Sequence, residues 1–206
     1  MEEKNYLNDL KDIKEMMRKS SQFISLSGLS GVLAGIYALV GGWYANELID
    51  KYFANEYLTY ESAQVLENKL IVIALVIIHL SIFSGLLLSN SKSKKLGVKL
   101  WNETSKRLVI NFGIPLATGG VLVLILIERQ FYELIIPTTL LFYGMACIHA
   151  SKYTLGDVKY LGITITIIGL LSAYFYQYSI PLWMLGFGFC HIFYGGMMWF
   201  KYDRNK

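Results

Sequence analysis

Over most of its length this 206-residue sequence has no charge. Five stretches, 20–46, 70–91, 108–127, 134–151 and 160–200, contain no Asp, Glu, Lys or Arg. Elements that meet water carry charge on their wet face, so this pattern excludes an ordinary soluble domain. It is also far too apolar for a disordered chain. Cysteine is scarce: Cys147 and Cys190 both lie inside uncharged runs, which excludes a disulfide-stapled secreted domain. No carboxylate lies deep in any run, which disfavours a proton pump built on an Asp or Glu relay. There is no GxxxxGK[ST] loop, HExxH or GxSxG, so neither nucleotide-driven transport nor intramembrane hydrolysis has its parts here. No catalytic residue and no metal site is expected.

What is present is hydrocarbon-compatible sequence in lengths that fit a bilayer. A spanning helix needs roughly 20 mostly apolar residues at about 1.5 Å of rise each. Four of the runs supply one span each. The fifth, 160–200, is twice too long and divides at Gln177-Tyr178-Ser179-Ile180-Pro181, where a proline suits the first turn of a new helix. The expected fold class is therefore all-α, a polytopic membrane protein. Its expected parts are a cytoplasmic amphipathic helix at 1–21, a six-helix bundle over 22–200 and a short tail at 201–206. The spans are read at about 22–45, 69–90, 108–127, 133–151, 158–178 and 181–200, the second starting early, near Ser62, as a protruding helix.

Charge sorting sets the expected orientation. With the N-terminus inside, sixteen of the 19 basic residues fall in inner segments; only Lys51, Lys69 and Arg129 fall outside. Both termini are expected in the cytoplasm, and the protein in a bacterial inner (plasma) membrane. All four tryptophans, Trp43, Trp101, Trp183 and Trp199, map near a membrane–water interface, where an amphipathic ring is favoured. The basic inner loop 91–107, with Leu96, Val98, Leu100 and Trp101 interleaved, could hold anionic lipid headgroups. Nucleic acid is a poor alternative, because topology already requires that cluster. Residues 4–19 place Leu7, Leu10, Ile13 and Met17 at helical spacing among basic side chains, the pattern of a helix lying on the inner leaflet.

Inside the bundle, Ser27, Gly31 and Gly35 repeat every four residues on one face of the first span, which lets two backbones approach closely. The partner helix could belong to the same chain or, in a homo-oligomer or a complex with another membrane protein, to a neighbour. Depth arithmetic places His79, Thr118 and His191 near the midplane, and Asn111 and His149 nearer the inner side. Intramembrane ionisable residues suggest function by default. These five form a candidate polar site for a small solute, and two level histidines could ligate a haem. A neutral histidine bonded to a neighbouring helix is the competing structural account, so no cofactor is expected. Pro115 is expected to kink the third span, and Asp157 to cap the fifth. Phe142-Tyr143-Gly144 before Lys152-Tyr153 is echoed by Phe193-Tyr194-Gly195 before Lys201-Tyr202, at spacings that differ by two.

Three segments carry a resemblance: SLSGLSGVLAGIYALVGGWYA, FYGMACIHASKYTLGDVKYLG and LGFGFCHIFYGGMMWFKYDR. In them the chain resembles a family of small six-span integral membrane proteins of Bacteroidota type. The resemblance implies an inner-membrane helical bundle and carries over no catalytic residues. The functional expectation is a non-enzymatic sensor, assembly or partner-binding component. A small-solute transporter or channel with a polar midplane site is the alternative, and a haem-binding redox protein a weaker one.

Overall fold

Backbone groups find no partner in hydrocarbon, so apolar runs must satisfy them internally as helices. The computed structural model, which describes residue 23 and residues 25–55 and 57–204, is all-helical; among the described residues there is no strand. Six helices are long and apolar enough to cross a membrane. They are α1 (Gly28–Phe53), α2 (Tyr60–Lys95), α3 (Glu103–Glu128), α4 (Ile135–Ala150, lengthened by a 3-10 turn at each end to the run Tyr132–Tyr153), α5 (Asp157–Tyr174) and α6, the run Tyr176–Asp203. The amphipathic helix expected at 1–21 lies outside the described residues.

The helix ends follow local chemistry. At α2, Thr59 and Ser62 form a reciprocal capping box, with the Ser62 amide donating to Thr59 Oγ1 at 3.1 Å and the Thr59 amide to Ser62 Oγ at 3.0 Å. Asn102 and Ser105 repeat the device at α3. The C-terminal end of α2 closes as a Schellman turn, with the Val98 amide on Ser93 O and Gly97 at φ 65°, a conformation open to glycine at little cost. The C-terminal end of α3 closes the same way, with Phe131 on Leu126 O, but there Gln130 holds the left-handed position at φ 60°. With 36 residues, α2 is about 54 Å long and overhangs a hydrocarbon layer of about 30 Å. α1 starts at Gly28 rather than near residue 22, because residues 25–27 run non-helically into it.

The sixth span is not a plain α-helix. A short α segment, Ser179–Trp183, passes into a π-helix at Met184–Phe189, returns to α at Cys190–Met198 and ends in a second π turn at Trp199–Asp203. Pro115 lies buried within α3, while Pro137 and Pro181 sit in first turns.

Sequence neighbours are spatial neighbours with one exception. α3 packs on α4, α4 on α5 and α5 on α6. α6 then closes back on α1, and α1 carries α2. α2 and α3 pack on each other far less than any other consecutive pair. Two glycine seams hold this arrangement, because dispersion and close backbone approach replace the hydrophobic effect between helices in lipid. At the α1–α6 seam, a Cβ on Gly28 would lie 2.5 Å from Gly195 O, and one on Gly195 would lie 2.7 Å from Gly28 O. At the α4–α5 seam, a Cβ on Gly144 would lie 2.8 Å from Gly162 O, and the reverse contact is 2.7 Å. Gly144 and Gly195 are thus the glycines of the Phe-Tyr-Gly echo, and both sit at a seam. The central packing joins Leu140 of α4 to Leu161, Ile165 and Ile168 of α5, with Leu182, Trp183 and Phe187 of α6 against them.

Candidate functional site: a charged clasp at the basic end of the bundle

The five polar residues expected to share a site do not converge. His79 faces outward from α2, in a shallow depression lined by Val72, Leu75, Val76 and Leu80, and its Nδ1 lies 2.7 Å from its own helix's Leu75 O. Thr118 also faces outward and donates to Ile114 O at 2.9 Å. Asn111 is half-buried and donates to Arg107 O at 2.8 Å. His149 faces outward from α4. The physical reason is rotational: depth along a helix says nothing about direction, and Thr118 and Asn111 satisfy themselves one turn back on their own helix.

Only His191 turns inward, at 6% exposure. Its Nδ1 lies 3.1 Å from Gly186 O, inside the π-helix, and a carbonyl can only accept. Nδ1 therefore carries the proton and Nε2 accepts from the Tyr143 hydroxyl at 2.7 Å. Phe187 stacks on the imidazole, with ring planes 16° apart, and Phe112 meets the Tyr143 ring edge-on. Every polar atom of this histidine is thus spent within the protein. With His79 turned out and His191 turned in, the two do not form an axial pair for a haem. Among the described residues no group of three or more His, Cys, Asp or Glu gathers to hold a metal ion.

Ser27, Gly31 and Gly35 all lie at the α1–α6 seam. Gly31 faces the Gly195 Cα, Gly35 faces Gly188 O, and the Ser27 hydroxyl donates to Asp203 Oδ2 at 3.2 Å. The partner of the small-residue face is therefore α6 of the same chain.

That last contact belongs to a polar cluster that joins α1, α2 and α6, which sequence reasoning missed. α1 has no acidic residue in its first turn, and its N-cap Ser27 makes no side-chain capping bond, so its free amides need an acceptor from elsewhere. Asp203, at the end of α6, supplies it: Oδ2 accepts the Gly28 amide at 2.9 Å. The negative carboxylate also sits at the positive end of the α1 dipole. Lys92, near the C-terminal end of α2, donates to Asp203 Oδ1 at 2.5 Å and to Leu26 O at 2.7 Å. The two side chains are only 13% and 11% exposed. Upstream, Phe23 and Ser25 are buried, the Phe23 amide donates to Tyr153 O at 2.7 Å, and Thr154 Oγ1 donates to Phe23 O at 3.0 Å.

The peptide entering α1 is thus bound by α2, by α6 and by the α4–α5 connection. A second contact fastens α6 to α5. Asp157 does not cap its own helix, as the sequence suggested; its carboxylate instead accepts from Lys201 Nζ at 3.0 Å and from the Tyr202 hydroxyl at 2.8 Å. Sequence reasoning overlooked Lys92 and Asp203 because each looks like an ordinary flanking charge. The available signal was the absence of any capping acid in the first turn of α1.

No family model, curated protein or solved structure matches the chain.

Proposed function

We propose that this chain is a multi-pass protein of a bacterial inner membrane with both termini cytoplasmic. It works there as a non-enzymatic sensor, assembly or partner-binding component. The observation that carries the reading is the clasp of Asp203, Lys92 and residues 23–28. Whatever engages the N-terminal segment pulls on a peptide tied to the inner ends of α2 and α6 and to the α4–α5 connection. The basic excess of these inner segments supports their cytoplasmic placement. A solute path through the midplane has no support from His79 and Thr118, which face away from the bundle, nor from His191, whose nitrogens are both engaged.

The test is genetic. In the native host, Asp203→Ala and deletion of residues 2–21 should each reproduce the phenotype of a gene deletion, while His79→Ala should behave as wild type. Loss of function in His79→Ala, with normal behaviour of Asp203→Ala at equal membrane abundance, would overturn the reading. Orientation is checked separately by thiol labelling of cysteines placed at Gly97 and Asn55 in oriented vesicles. Gly97 should label from the cytoplasmic side and Asn55 from the other.

A further inference from the structure

Every backbone carbonyl inside a helix bundle needs a donor, because apolar surroundings offer none. In α6 one carbonyl is passed over. The Cys190 amide donates to Leu185 O, five residues back, where an α-helix would take it to Gly186 O. Gly186 O receives the His191 Nδ1–H instead, at 3.1 Å, and the Tyr143 hydroxyl of α4 holds the other ring nitrogen at 2.7 Å. A side chain thus does for this carbonyl what an amide does elsewhere. The same carbonyl has a second donor at hand: it would regain the Cys190 amide if Met184–Phe189 tightened to an α-helix.

The two arrangements differ by one residue of register. A π segment holds one residue more than the α-helix it replaces. Tightening it carries everything after Phe189 forward by about 1.5 Å and round by about 100°. Asp203 follows His191 by twelve residues, about 18 Å along the helix. The place at which Asp203 now receives the Gly28 amide would pass to Tyr202, and the place at which Gly195 meets Gly28 would pass to Tyr194. Neither residue can serve. A phenol brings no charge for Lys92, and a Cβ at the Gly195 position lies 2.7 Å from Gly28 O. Clasp and seam therefore require the π register, while the helix's own hydrogen bonding favours α.

Resting on the reading of the clasp given above, we infer that α6 is a register switch. Its π register is the clasped state, held by His191 and Tyr143 within the bundle and by Asp203 at the end of the helix. Loss of either hold lets Met184–Phe189 return to α, which carries Asp203 off Gly28 and parts α6 from α1. A pull on the peptide entering α1 is thereby felt at Tyr143 of α4, and a change at Tyr143 is felt at the clasp, because both ends bias one two-state element.

Disulfide trapping in the purified full chain tests this. With Cys147→Ala and Cys190→Ala as background, the pair Ser27→Cys and Tyr202→Cys should cross-link poorly, because Asp203 and not Tyr202 lies against Ser27. His191→Leu should raise that yield by about fivefold or more. The pair Ser27→Cys and Lys201→Cys should stay low in the same variant. Deletion of Leu185, which is 42% exposed, removes the extra residue itself, so a plain α-helix then brings Asp203 to Gly28. That deletion should keep the first yield low and suppress the effect of His191→Leu. Deletion of Phe193, from the α segment Cys190–Met198, should not suppress it. An unchanged yield with His191→Leu, or a high yield from the Leu185 deletion alone, would overturn the proposal. So would a rise in both pairs together, which marks unfolding of the end of α6 rather than a change of register. Failure of the clasp's functional role shows differently: the trapping pattern holds while Asp203→Ala behaves as wild type in the host.

Discussion

The Asp203 carboxylate receives the Gly28 amide at 2.9 Å, so the last turn of the sixth helix caps the first turn of the first. The pair lies 175 residues apart in sequence. A helix N-terminus leaves amides without intrahelical partners, and this one relies on a distant acid rather than a local one. Lys92 neutralises that acid and at the same time holds Leu26 O, so one ion pair orders three chain segments.

Breaking this clasp should be costly and asymmetric. Removing one partner of a largely buried pair leaves the other charge unpaired, at a cost of roughly 3 kcal/mol. Asp203→Ala and Lys92→Met should each lower the unfolding temperature in detergent. The double substitution should cost less than the sum of the two, measured as a double-mutant cycle. Strict additivity would show that the pair is not coupled.

The glycine seams predict opposite outcomes for neighbouring residues. At Gly195 an added Cβ meets Gly28 O at 2.7 Å, whereas at Gly196 nothing lies within 4 Å. Gly195→Ala should destabilise by about 1–3 kcal/mol through overpacking. Gly196→Ala should be neutral, or stabilising by up to about 1 kcal/mol of helix propensity. Thermal unfolding of the two variants, one residue apart, checks the direction of the seam.

Tyr143→Phe leaves His191 Nε2 buried without its donor. The expected loss is about 1–3 kcal/mol, the cost of an unsatisfied buried polar atom. His79→Leu should be neutral or mildly stabilising, because that residue faces outward and bonds only to its own helix. Equilibrium unfolding of the two variants in the same detergent compares them directly; equal losses would show that His79 has a partner.

Gln130 holds a left-handed backbone at φ 60°, while Gly97 fills the matching position of the other Schellman turn at φ 65°. Gln130→Gly should stabilise by about 1 kcal/mol, the steric cost of a side chain in that region. Gly97→Gln should destabilise by a similar amount. Calorimetric midpoints of both exchanges should move in opposite directions.

Ser172 is fully buried, and its hydroxyl has no hydrogen-bond partner among the described residues. Ser172→Ala removes an unsatisfied polar atom with little change in volume, so it should raise stability by about 1 kcal/mol. A fall in the unfolding midpoint would show that the hydroxyl has a partner after all.

The six apolar helices were legible in the sequence because uncharged length is a one-dimensional property, and bilayer thickness is its ruler. The small-residue face of Ser27, Gly31 and Gly35 was legible for the same reason, since spacing along one helix is local. Its partner was not, because any helix with glycine at matching height would serve; the fold selects Gly188 and Gly195. The polar layer of His79, Thr118 and His191 was read from depth alone. Depth fixes height in the membrane and leaves rotation open, and rotation turned two of the three outward.

By itself, then, the sequence determined the helical class, the number of apolar segments and the sorting of charge to one end, all of which follow from composition along a line. Tertiary structure alone decided that α6 closes on α1, that α2 packs on α1 far more than on α3, and that Asp203 caps Gly28 while Lys92 holds the loop before it. Those are relations between distant residues. The physical reason is that an unsatisfied amide or an unpaired charge states only that a partner is required; which residue supplies it depends on how the helices are arranged around one another.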